Sequence, residues 1–177
     1  MIRQASLLAP YIKHPTTTRS IMLDMMLCMA ALYLIAAFYY GGRALMLGLV
    51  SMLVCMAAEL LGSALRLERH NRRDLSALVT GMMIPLMLPA SIPYYIVIIA
   101  DLFAILAVKY AFGGTGYNLF NPAAGGLLFV TVCWPQQVFA YPVTFSNPEV
   151  FGEVTGRLTN SIAYVLSVGG TPSTDVT

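Results

Sequence analysis

Two apolar runs, residues 21–40 and 44–65, follow one another with only Gly41, Gly42 and Arg43 between them. Each is about 20 residues long, the length an α-helix needs to cross a hydrocarbon core of ~30 Å. Helices that are apolar on every face are buried in a large core or in lipid. Composition decides between these: of 177 residues, 58% are hydrophobic and 10% charged, against about 25% charged in soluble domains. Mean hydropathy is +0.75. The fold class this predicts is an all-α integral membrane protein. A net charge of +2, with no basic stripe among aromatics, excludes nucleic acid as a partner. Cys28, Cys55 and Cys133 lie singly in apolar runs, so neither a metal site nor a self-contained iron–sulfur cluster is expected. The first apolar run begins only after Ser20 and lacks a small-residue cleavage pattern, unlike a cleavable signal peptide.

The chain reads as about five transmembrane segments. Residues 1–20 form an N-terminal segment at the membrane surface, 21–134 a transmembrane half-domain, and 135–177 a tail without a further span. Asp24 reads as a solvated first-turn residue of the first helix. The third segment, residues 75–88, is short, broken by Gly81 and Pro85 and stopped by Pro89. The fourth covers residues 94–112 and the fifth, again short, residues 122–134. With breaks at 41–43, 66–74, 90–93, 113–122 and after 134, one side collects Arg3, Lys13, Arg19, Arg66, Arg69, Arg72, Arg73 and Lys109. The other side has only Arg43 and Arg157. That asymmetry predicts a cytoplasmic N-terminus, an extracytoplasmic tail and a multi-pass protein of the bacterial inner membrane.

Candidate site residues cluster between the fourth and fifth segments. Gly113, Gly114 and Gly116 allow close backbone approach, and Asn118 offers amide groups. Asn121-Pro122 predicts a helix start, because Asn is a preferred N-cap and Pro is favoured at the first helical position. Short, Gly/Pro-interrupted segments beside a full one are the pattern of discontinuous helices around a midplane site. A re-entrant Gly/Asn-rich loop is therefore expected, holding a flavin phosphate, an anion or a cation. Ordinary turn and capping roles are the other reading. Asp101 and Glu59 are carboxylates at depth and candidates for an ion pathway; the other reading is an interhelical polar contact for Asp101 and a snorkelling carboxylate near the interface for Glu59.

Asp74-Leu75-Ser76-Ala77-Leu78-Val79-Thr80-Gly81, Leu88-Pro89, Pro93, Phe112-Gly113-Gly114-Thr115-Gly116, Asn118 and Phe120-Asn121-Pro122-Ala123 resemble the NqrB/RnfD family in content and order. Arg19-Ser20-Ile21-Met22-Leu23-Asp24 is more similar to the RnfD branch, the D component of Rnf complexes, than to NqrB. The resemblance implies a ten-helix protein of two related halves, of which this chain looks like the N-terminal one. It implies a subunit of an ion-translocating oxidoreductase, a translocase, with other membrane and peripheral subunits as partners and Na⁺ or H⁺ as coupling ion. The implied cofactor is FMN, esterified to a threonine of an S-G-A-T motif on the outer face, with riboflavin as a further possibility. Asp175-Val176-Thr177 looks like the lead-in to that motif, so the attachment threonine is expected beyond the chain end. Leu75 stands where the family usually has Gly. Two alternatives remain open: a channel, since Asn121-Pro122-Ala123 matches the NPA triplet of aquaporins, and a scaffold that touches no cofactor.

Overall fold

The computed structural model describes residues 17–65, 75–113, 120–143, 145 and 149–152. All regular elements among them are helical: α1 (Thr18–Tyr40), α2 (Gly42–Leu65), α3 (Ser76–Met87), α4 (Tyr94–Leu102), α5 (Pro122–Cys133) and a single turn, α6 (Pro135–Val138). From Phe103 to Tyr110 α4 continues as a π-helix. Helices α1 and α2 are long and apolar enough to cross a membrane. The apolar helices α3 and α5 have 12 residues each, about 18 Å, and run beside them.

Pairings fix the directions of the segments. Tyr33 of α1 crowds Gly48 of α2 across the hairpin turned by Gly41, whose φ of 68° is one that glycine adopts without strain. Helices α2 and α4 are parallel and keep a constant offset. Ser51 pairs with Asp101, and eight positions later Glu59 pairs with Lys109. Helix α3 runs the other way, with Ser76 beside Lys109 at one end and Ala90 beyond its C-terminus beside Arg43 at the other. Helix α5 also opposes α4: Gly125 meets Val108, Gly126 meets Ala100, and Trp134 reaches Tyr95. The bundle thus has an Arg43 end and a Glu59/Lys109 end.

Helix α4 is the hub. Ile96, Val97, Ala100 and Ala104 are fully buried and pack with Leu47 of α2, Ile84 of α3, and Ala123 and Val130 of α5. Small residues bring the backbones together. A Cβ on Gly126 would sit 2.7 Å from the Ala100 carbonyl oxygen, and one on Gly81 2.9 Å from Met52 Cα. The π segment serves the same seam. At about 100° per residue an α-helix would carry Lys109 some 80° away from Asp101. The i→i+5 turns rotate less per residue, and Asp101, Ile105 and Lys109 are all buried.

Several expected boundaries move. Helix α1 begins at Thr18, capped by Thr17, so Asp24 is exposed in the second turn, not the first. Helix α3 is not broken by Gly81 or Pro85: it runs through both to Met87. Pro85 falls in the last turn, where one lost i→i−4 bond, to the Gly81 carbonyl, is all it removes. Gly81 serves close packing against α2. The fourth segment is not uniformly α-helical and ends at Tyr110.

Candidate functional site

Along the seam of α2 with α4 lie two buried polar rungs. The first is Asp101, which is 0% exposed. Its Oδ1 accepts the Ser51 hydroxyl at 2.8 Å, and the Cys55 thiol, one turn further along α2, faces the same carboxyl. Its Oδ2 is buried without a hydrogen-bond partner. Among the described residues no cationic side chain pairs with it. From α1, the Tyr33 hydroxyl lies within electrostatic range and donates to the Met82 carbonyl of α3 at 3.0 Å.

The second rung is a buried ion pair. Lys109 Nζ donates to both Glu59 oxygens, at 2.8 and 2.7 Å, and to Ser76 Oγ at 2.7 Å. Tyr110 adds its hydroxyl to Glu59 Oε1 at 3.1 Å. Lys109 is 1% exposed, which corrects its placement among the water-facing cations. A carboxylate taken to this depth needs a counter-charge and hydrogen bonds to offset desolvation, and the neighbouring parallel helix supplies both. The charge asymmetry then rests on Arg3, Lys13, Arg19, Arg66, Arg69, Arg72 and Arg73.

At the opposite end Arg43 is buried and gathers backbone carbonyls. Its Nε donates to Ala90 O at 2.8 Å, and its terminal nitrogens donate to Ile92 O at 3.2 Å and to Glu149 O and Gly152 O at 2.8 Å each. Tyr94 lies under the guanidinium, 5.2 Å from ring centroid to Cζ, and donates its hydroxyl to Val150 O. The described part of the tail is thereby tied down over the start of α4. From sequence Arg43 is legible only as a turn residue. A lone arginine between two apolar runs is the one available sign of this role.

Of the loop candidates, Gly114, Gly116 and Asn118 lie outside the described residues. Gly113 has φ 120°, a backbone that favours glycine. Asn121 caps α5 as expected, its Oδ1 accepting Ala123 N–H at 3.0 Å, with Pro122 at the first helical position. These residues lie at the Glu59/Lys109 end, remote from the Arg43 end that holds the tail up to Gly152. Phe112 and Phe120 are exposed edge to face, 6.4 Å between centroids. With Phe103, Asn121, Leu128 and Phe129 they line an open lateral groove of about 560 Å³. Phe103 and Phe129 stack at 4.2 Å. Thus the structure does not bring Asn121 together with Asp101 or Glu59: the first borders the groove, the others face α2.

Fold and seam together define a helical membrane protein with buried ionisable groups. A family model described as the NQR2, RnfD, RnfE family matches residues 6–171, and the chain belongs to that family. It is similar to the D component of the ion-translocating oxidoreductase complex of Shewanella denitrificans, 32% identical over 139 residues, covering 75% of this chain and 39% of that protein. It is also similar to the D component of the Na(+)-translocating ferredoxin:NAD(+) oxidoreductase complex of Acetobacterium woodii, 32% identical over 127 residues, covering 72% and 40%. A longer alignment reaches the corresponding protein of Shewanella amazonensis, 27% identical over 168 residues and 92% of this chain. The chain spans about two fifths of the length of the S. denitrificans and A. woodii relatives.

Proposed function

We propose that this chain is the membrane-embedded N-terminal part of an RnfD-type component of an Rnf electron transport complex, where it positions flavin and lines part of the Na⁺ or H⁺ route. The observation that carries the reading is the family match over residues 6–171, together with the roles that the relatives' names give them. The complex would lie in the bacterial inner membrane with the N-terminus cytoplasmic, and its other subunits would supply and remove electrons.

The flavin would carry the electrons. The protein supplies binding, orientation and exclusion of water. The described residues of the lateral groove offer aromatic faces, Phe103, Phe112, Phe120 and Phe129, and the amide of Asn121. None of the described lining residues is basic, so this surface does not fit an FMN phosphate. An uncharged tricyclic ring, such as that of riboflavin, fits it better. Asn121 lines that groove, and Gly113, Gly114, Gly116, Asn118 and Pro122 of the same Gly/Asn-rich run are its proposed companions in holding flavin. Asp101 and Glu59 are the candidates for the ion route.

The test is to purify the chain from membranes without added flavin and to measure flavin absorbance and fluorescence. Bound, non-covalent flavin that falls severalfold in Asn121→Ala and Asn118→Ala supports the reading. A flavin-free wild-type protein that still assembles with the other subunits would leave a scaffold role instead.

A further inference from the structure

The two carboxylates proposed for the ion route differ in one respect. Glu59 is locked by Lys109, Ser76 and Tyr110, whereas Asp101 has a buried oxygen with no partner. A carboxylate with no cation beside it in so apolar a place is costly, and a single positive charge on it removes that cost. The groups facing it decide which charge. From α2 come the Ser51 hydroxyl and the Cys55 thiol, with Glu59 one turn beyond Cys55. From α1 comes the Tyr33 hydroxyl. From α3 comes the Met82 carbonyl, already engaged by Tyr33, and from α5 only Gly126 against Ala100. Lys109 on the same helix is committed to Glu59. Hard monovalent cations require several oxygen ligands, and a thiol suits softer metals. One hydroxyl and one carboxyl fall short of such a shell. They suit a proton.

A cavity lies on the Arg43 side of this carboxylate. Its volume is about 220 Å³, and it is lined by Tyr40, Ala36 and Tyr33 of α1, Ala44 and Leu47 of α2, and Tyr141 of the tail. On each helix these residues step inward turn by turn, and the next turn of α2 after Leu47 is Ser51, the partner of Asp101. Tyr33 both lines the cavity and lies within electrostatic range of Asp101.

We propose that Asp101 is a proton-exchange site, loaded from the Arg43 end through this cavity and past Tyr33. The assignment rests on the ion-route reading of Asp101. Loading forms an O–H bond on the carboxylate and breaks one in a hydronium ion of the cavity water, leaving neutral water; unloading reverses it, with no change of oxidation state.

Infrared spectroscopy of the full chain in lipid nanodiscs, without electron donors, tests it apart from any redox activity. At neutral pH the wild type should show the C=O stretch of a protonated carboxylic acid that shifts in D₂O and is missing in Asp101→Asn. Ser51→Ala should keep the band but move it, since the carbonyl loses its donor. This variant stands in if Asp101→Asn fails to fold. Ala36→Leu, which fills the cavity, should slow the D₂O shift about tenfold, one decade in rate. A wild type without the band, a band abolished when NaCl replaces KCl at constant pH, a band unmoved by Ser51→Ala, or exchange as fast in Ala36→Leu would each overturn the proposal. None of these results bears on flavin content, which has its own experiment.

Discussion

Lys109 and Glu59 illustrate how one residue sets the cost of another. Each would be intolerable alone at this depth, and together with Ser76 they form a satisfied cluster. Removing one partner of a buried pair typically costs about 3–5 kcal/mol, whereas replacing both with apolar groups of similar volume is often neutral or stabilising. Lys109→Met is therefore expected to lower the thermal midpoint in detergent sharply, and Glu59→Leu/Lys109→Met to recover most of the loss. If Glu59 also carries ions, the double variant regains stability without regaining transport, which separates structural from functional roles. Arg43 follows a different logic, because its partners are carbonyls spread over a fork of nitrogens. Lysine cannot reproduce that fork. Arg43→Lys should leave the helices folded while releasing the tail, seen as faster proteolysis near residues 149–152 with the helical circular dichroism unchanged.

At the scale of elements, the sequence disclosed what depends on local chemistry. Run length located the five apolar helical segments, and Asn121-Pro122 placed the start of α5 through capping rules that need no tertiary context. What escaped it depends on neighbours about 50 positions away. Lys109 looked like a terminal cation because nothing local pairs it with Glu59. Pro85 looked like a break because its penalty depends on how many turns follow it, and it lies in the last one. The π-helix has no local signature in FAILAVKY; it answers the demand that Asp101 and Lys109 both face α2. The glycines divide in the same way. A Cβ on Gly81 meets Met52 backbone at 2.9 Å, whereas one on Gly42 meets only a Val150 methyl at 3.6 Å. Gly81→Ala must push α3 off α2 and should cost about 1–3 kcal/mol, the usual range for overpacking. Gly42→Ala should be tolerated. Thermal midpoints of the two variants, measured side by side in one detergent, check this contrast.

For the whole molecule, the bundle sorts its chemistry by end. The Arg43 end carries the described tail residues up to Gly152 and the cavity lined by Tyr33 and Leu47; the other end carries Glu59, Lys109 and the Asn121 cap of α5. The proposed orientation, with the Glu59/Lys109 end cytoplasmic, rests on the seven arginines and lysines that the sequence carries before or at the start of α1 and between α2 and α3. Burial of Lys109 and Arg43 removes one cation from each side's water-facing set, so the bias survives the correction. In a variant with Cys28, Cys55 and Cys133 replaced by serine or alanine, a membrane-impermeant thiol reagent should label Asn71→Cys only in inside-out vesicles. It should label Phe145→Cys, whose backbone N–H is bonded to Tyr39 O at the far end, only in right-side-out vesicles. The reverse pattern would put the cavity on the cytoplasmic side, and a proton loaded through it would then be drawn from the cell interior.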